Sequence, residues 1–417
     1  MKSSLSCLVA FALLVFSARA AVVNATWNAS TDVPVAAASY TATGHTVNLT
    51  LSHVPAIGEN LTVVNNTGLA FIQGTFGNLS QGQKVILTYS GKTYDFVANY
   101  YGGTGNDLVL QWAGQSITTW GSNSSGQLGN DSTTDSSVPF AVNATGVLNG
   151  KVVVAVSAGG SHSLALCSDG TVAAWGRNNY GQLGNNSLTD SKVPVAVNAT
   201  GVLSGKTVVA ISAGGTHSLA LCSDGTVAAW GRNNYGHLGN NSTTDSKFPI
   251  AVNTTGALSG KTVVAVSAGN NHSLALCSDG TVTAWGQNTV GQLGNNVSTI
   301  PSTVPVAVDT TGVLNGKTVV FIDAGYEHSL ALCTECTIAA WGANSSGQLG
   351  NNSTTTSYVP VAVVTTGILS GKTVKAVAAG SHSLALCSDG TVIAWGNNSY
   401  GKLGDNSIVV SNVQTGG

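Results

Sequence analysis

Five histidines, His162, His217, His272, His328 and His382, stand 54 to 56 residues apart. Imidazole is a common metal ligand, so the set first invites a metal reading. Zinc, however, needs its ligands about 2 Å from one ion, and one histidine per repeat spreads them around a ring. Structural hydrogen bonding is therefore the expected role, and no metal or cofactor site is assigned.

Cys333 and Cys336 form the only CxxC, where other units carry Cys-Ser-Asp-Gly. No second pair completes a four-ligand zinc site, and no helix follows to lower a thiol pKa. Loss of a turn glycine is the leading reading, ahead of a local disulfide and of redox chemistry. GVLSGKT at 201–207 looks like a phosphate loop, but it is one residue short and precedes a strand instead of following one. Its recurrence as GALSGKT, GVLNGKT and GILSGKT marks it as a connector.

Acid–base catalysis needs convergent carboxylates or an activated nucleophile. Most carboxylates here sit in turns and polar connectors, as Asp169, Asp224, Asp190 and Asp245 do. Only FIDAGYEHSL breaks the pattern, with Asp323, Tyr326 and Glu327. No catalytic residue is assigned. A secreted carbohydrate-active enzyme using Asp323 and Glu327 is the alternative.

These residues share one frame. Trp-Gly pairs begin at Trp120, Trp175, Trp230, Trp285, Trp341 and Trp395, in step with Ala-Gly-x-x-His-Ser-Leu-Ala-Leu. Within a unit, VVAVSAG, HSLALC and TVAAW have strand lengths and glycine boundaries. Ser-Asp-Gly-Thr reads as a tight hairpin whose Asp and Gly tolerate positive φ, and VPVAV supplies a fourth strand whose proline predicts an edge. In HSLALC, Leu164 and Leu166 face one way, Ala165 and Cys167 the other. Both faces are apolar, so both must be covered. A four-stranded sheet covered on each side by copies of itself is a propeller blade, with small residues of VVAVSAG at the axis and the tryptophan between blades.

AGxxHSLAL, DGTVxAWG and NxxGQLG together resemble the repeat of the regulator of chromosome condensation family, over roughly Gln115 to Gly417. The resemblance implies a β-propeller, usually of seven blades. It also implies interaction platforms: one branch exchanges nucleotide on a small GTPase, one senses ultraviolet light through clustered tryptophans, and a secreted bacterial branch inhibits β-lactamase. One Trp per unit and an exported chain fit neither of the first two. The third shares the compartment, but its contact residues cannot be carried over.

Five complete units begin near Val153, Thr207, Thr262, Thr318 and Thr373, preceded by a half unit with ITTWG and VPFAV. The expected fold is all-β, a propeller of five full repeats plus this half. Against the family's seven blades, a truncated chain is the favoured expectation over a smaller or open ring, which would expose edges and an apolar blade face. Residues 21–114 lack the repeat and read as a β-rich region of alternating strands, a small sandwich or a stack of turns, similar to modules of bacterial surface proteins. Tyr100 and Tyr101 read as strand-packing aromatics.

Charged residues make up 8% of the chain and the formal net charge is -2, so no basic footprint for nucleic acid exists. Lys2, the apolar run Leu8 to Phe16 and Ala18-Arg19-Ala20 fit a signal peptide over residues 1–20, cleaved after Ala20. That predicts a secreted or cell-surface protein, of bacterial type, and no later run spans a membrane. Cys7 would leave with the leader, while Cys167, Cys222, Cys277, Cys333 and Cys387 share one repeat position and read as buried thiols. Variable loop residues Arg177, Tyr180, Arg232, Tyr235, Tyr326, Glu327 and Tyr400 are the candidate partner-binding set. His237, in place of the Gln of GQLG, reads as a neutral variation. The expected function is a non-enzymatic scaffold for an unidentified protein or glycan, with a structural spacer as a further alternative and the oligomeric state open.

Overall fold

The structure, a computed structural model, describes residues 21–114 and 116–416. The leader reading falls on residues outside that range. Five four-stranded antiparallel sheets dominate. The first contains Val153–Ala158, His162–Cys167, Val172–Gly176 and Ser191–Ala196, in that spatial order. The next four open at Val208, Val263, Val319 and Val374. A two-stranded sheet, Thr118–Gly121 with Ser136–Ala141, precedes them.

First strands of successive sheets touch one another, and each second strand touches the first strand of the following sheet. The sheets therefore stack as blades of a β-propeller, with the fourth strand at the outer edge. That edge carries Pro194, Pro249, Pro305 and Pro360, where a missing N–H costs no ladder bond. Both faces of each second strand are used: Leu164 and Leu166 share a core with Ala220, Cys222 and Trp230 of the following blade. Leu219 and Leu221 repeat this against Ala275, Cys277 and Trp285.

The Trp-Gly and Gly-x-Leu-Gly marks are read across blades. Trp230 Nε1 donates to the Gln182 carbonyl of the preceding unit at 2.9 Å. A Cβ on Gly184 would stand 2.7 Å from that indole, so only glycine leaves room. In the same loop, buried Asn178 donates to the carbonyls of Ser187 and Thr189 and accepts from Leu183 N–H.

Two expectations need correction. In the Ser-Asp-Gly hairpins only the glycine is left-handed, with φ of 82° at Gly170, while Asp169 is not. The aspartate instead accepts from Thr171 N–H and pairs with Lys151. Nor does every repeat tryptophan fill a gap between blades: Trp120 is 61% exposed, whereas the five that follow are fully buried. Among the described residues no blade packs on its face. On the last blade Leu386 and Val392 are exposed too.

The N-terminal residues form a five-stranded sheet, in the order Val35–Ala37, Leu61–Asn66, Asp107–Trp112, Lys92–Gly102 and Lys84–Tyr89. A parallel pair, Val22–Trp27 with Thr46–Leu51, lies beside it. Trp27, Phe76, Phe96 and Leu108 fill their common core. Tyr100 is part of it, its hydroxyl donating to Leu79 O and accepting from Phe76 N–H, and burial pushes that phenol up to about 12.

Candidate interaction surface

The strand connections divide the propeller into two ends. At one end lie the Ser-Asp-Gly turns and the Gly-Lys-Thr connectors, tied together by Lys206 to Asp224, Lys261 to Asp279 and Lys372 to Asp389. The N-terminal region sits on this end. Gln81 Nε2 donates to Ser168 O, and Phe71 and Tyr101 join the core between the second and third blades. Leu69 joins the core between the third and fourth.

The opposite end carries the candidate loops. Arg177 N–H donates to Ser161 O at 2.8 Å and Arg232 N–H to Thr216 O at 3.0 Å. Each Trp-Gly-x-Asn loop therefore lies beside the Ala-Gly-x-x-His loop of its own blade. Glycine carbonyls link the second kind of loop from blade to blade: Gly160 N–H donates to Gly214 O, Gly215 N–H to Gly269 O, Asn270 N–H to Gly325 O and Tyr326 N–H to Gly380 O. This frame fixes the height of the side chains above it.

Among the candidate residues, the Arg232 guanidinium lies 4.7 Å from the Tyr180 ring centre, an interblade cation–π contact. Tyr235 packs against His237. Arg177 is exposed and its Nε donates to Asn179. Tyr326 and Tyr400 are 58% and 94% exposed, and Glu327 is half-buried. The structure thus joins Tyr180 with Arg232 on neighbouring blades, and sets Tyr326, Glu327 and Tyr400 on later loops of the same end.

The histidines lie beneath this surface. His162 Nε2 is 2.9 Å from Ser218 Oγ, and the bond repeats at His217–Ser273, His272–Ser329 and His328–Ser383. Ser218 spends its proton on Gln182 O, so it accepts, and His162 is the Nε2–H tautomer. Burial holds these imidazoles neutral, His162 and His328 at about 4 and His272 at about 3. His237 is more than a neutral variation: it is buried, accepts no bond from the Tyr235 N–H as Gln182 does from Tyr180, and instead bonds Asn271.

Asp323 is a staple. Oδ1 accepts from Ser267 and Oδ2 from Ala379 N–H, joining the third, fourth and fifth blades, and burial raises its carboxyl. Both thiols of the CxxC are free, Cys333 buried and Cys336 half-buried. Cys336 takes the turn glycine's left-handed place at φ 59°. Sequence reading missed the serine acceptors and the lysine–aspartate ties. Their signal was the invariant Ser after each histidine and the matched recurrence of Gly-Lys-Thr with Ser-Asp-Gly.

Residues 116–415 match the model of the RCC1-like domain. The chain belongs to that family. It is 31% identical to the ultraviolet-B receptor UVR8 of Arabidopsis thaliana over 298 residues, 71% of this chain and 64% of the receptor. It is 36% identical to human E3 ubiquitin-protein ligase HERC2 over 60% of this chain and 5% of that protein. The chain therefore spans less than two thirds of these relatives. Among solved structures, yeast RCC1 (Prp20) bound to Kap60 aligns with a TM-score of 0.57 at 26% identity, covering 68% of this chain and 64% of that one. Human WBSCR16 aligns at 0.63 with 24% identity, covering 78% and 79%, a likeness of fold alone. The matches thus reach RCC1 and the ultraviolet receptor, the two branches set apart above by tryptophan count and compartment. The relatives named here are eukaryotic.

Proposed function

We propose that this RCC1-like propeller is a non-enzymatic protein-interaction platform that engages its partner through the loop end opposite the N-terminal region. The observation that carries this reading is the pairing of Tyr180 with Arg232 on a hydrogen-bonded loop frame. Tyr and Arg are, with Trp, the side chains enriched at binding hot spots, and a preordered pair loses little entropy on binding. Yeast Prp20, a structural relative, was solved with a protein, Kap60, bound to it. Commitment of Asp323 to two interblade bonds speaks against the glycosidase alternative. Export to the cell surface or medium is part of the proposal and is supported by the apolar run Leu8 to Phe16 before Ala20.

The test is a pull-down from the native extracellular milieu with the purified chain as bait, alongside a variant carrying Arg177→Ala, Tyr180→Ala, Arg232→Ala and Tyr235→Ala. Specific retention lost in the variant is the expected result. Equal retention by both baits, or hydrolysis of a polysaccharide panel abolished by Glu327→Gln, overturns the reading.

A further inference from the structure

Two departures from the repeat fall on one cavity. The second residue of each blade's first strand is Val154, Val209, Val264 and Val320, and then Lys375 in the fifth blade. The third is Ala155, Ala210, Ala265 and Ala376, but Phe321 in the fourth blade. Phe321 is 39% exposed, and Lys375 is exposed as well. Both line a cavity of about 340 Å³ between the propeller and the N-terminal region, together with Val264, Leu276, Val320 and Leu332. Small-molecule sites begin at about this size.

The rest of the lining comes from two loops of the N-terminal region, 65–69 and 104–106. Asn106 Nδ2 donates to Gly68 O, while the Asp107 carboxylate accepts from Asn66 N–H at 2.7 Å and from Thr104 N–H at 3.0 Å. These bonds tie the loops to each other, and Leu69 packs them onto the core between the third and fourth blades. They also occupy both oxygens of Asp107, the acid nearest in sequence to the lining. Two polar groups of the lining are left over. Among the described residues the Lys375 ammonium makes no ion pair, whereas Lys372 is tied to Asp389. The half-buried Asn65 amide makes no hydrogen bond there either.

We infer that this cavity binds a small aromatic carboxylic acid that carries a hydroxyl group. A lone ammonium on an apolar wall is a point charge suited to one carboxylate, whereas phosphate recognition draws on several donors or a guanidinium fork. Phe321 offers a ring to an aromatic body, where the other blades have only an alanine methyl. Asn65 has both a donor and an acceptor and can meet a hydroxyl in either sense. The tied loops hold these groups in place before binding, which lowers the cost of ordering them. The cavity lies at the end of the propeller that carries the N-terminal region, so its failure would leave the proposed function untouched.

The probe is para-coumarate, titrated into the purified full chain and followed by saturation-transfer difference NMR. Saturable binding is expected, weakened about tenfold by Lys375→Val and by methylation of the probe's carboxylate. Phe321→Ala should weaken it about threefold, and cinnamate, which lacks the hydroxyl, should bind about threefold more weakly than para-coumarate. Each substitution installs the residue found in the sister blades, so both variants should keep the wild-type circular dichroism. If Lys375→Val alters the fold, the methyl ester compared with the acid on the wild-type chain decides alone. No saturable binding, equal affinity for the methyl ester or for cinnamate, or an affinity unchanged in a folded Lys375→Val variant overturns the inference.

Discussion

Ser218 Oγ, in the second complete blade, accepts a hydrogen bond from the imidazole of His162 in the first, 2.9 Å away, while donating its own proton to Gln182 O. One hydroxyl thus ties the histidine of the preceding unit to the Gly-Gln-Leu-Gly loop of that same unit, and both groups are buried. The bond is repeated between each later pair of blades, which makes it a joint of the propeller.

Removing the acceptor should be costly. Ser218→Ala leaves a buried N–H without a partner, a loss of about 1–3 kcal/mol. Urea unfolding should show a midpoint shift of that size with an unchanged slope. Ser204→Ala, on an exposed connector, should stay within about 0.5 kcal/mol of wild type.

Acid should loosen the propeller before carboxylates titrate. The folded-state values of His162, His272 and His328 lie near 3 to 4, below the unfolded value of about 6.5. Both states are neutral above that value, so no stability is lost there. As pH falls from about 6.5 to 4 the unfolded chain takes up protons that the folded chain refuses, each such histidine costing on the order of 1.4 kcal/mol per pH unit. Thermal melting across that range should show a steep fall in Tm, and His272→Gln should flatten it. Aspartates held low by lysine, such as Asp279 at about 2, act in a different window: their contribution is full above about 3.8 and is lost as pH drops further.

Two glycines separate strain from crowding. Gly201 and Gly184 are both left-handed, at φ 71° and 65°. A Cβ on Gly201 meets nothing within 4 Å, while on Gly184 it strikes the Trp230 indole. Gly201→Ala should cost about 1–2 kcal/mol of backbone strain alone, and Gly184→Ala a further 1–3 kcal/mol or so from overpacking. Calorimetric melting of the two variants reads the difference.

The turn at Cys336 offers the converse change. Cys336→Gly restores the residue type the other hairpins use at a left-handed position, relieving strain of about 1–2 kcal/mol against a roughly 0.5–1 kcal/mol entropic loss. A Tm equal to or slightly above wild type is expected. A clear fall would show that the thiol contributes a contact worth more than the strain.

The fold was legible because strands of period two with apolar residues on both faces, as in HSLALC, admit few solutions, and recurrence of the unit names the neighbour that covers each face. Local polarity was also readable where a residue acts within its own loop, as Asn178 does. Cross-blade chemistry was not. Whether Asp323 would face solvent or bridge three blades depends on the serine 56 residues before it, a separation no local pattern reports. The binding end was equally hidden. Arg177, Tyr180 and Arg232 could be picked out as variable positions, but only the placement of Gln81, Phe71 and Tyr101 on the opposite end shows which face is left open.

The most direct test of that asymmetry is hydrogen–deuterium exchange on the full chain with and without the protein retained in the pull-down. Binding should slow exchange in the loops at 177–182, 232–238 and 325–328 and leave residues 22–112 unchanged. Protection confined to the N-terminal strands or to the outer strands, with those loops unaffected, would contradict the account.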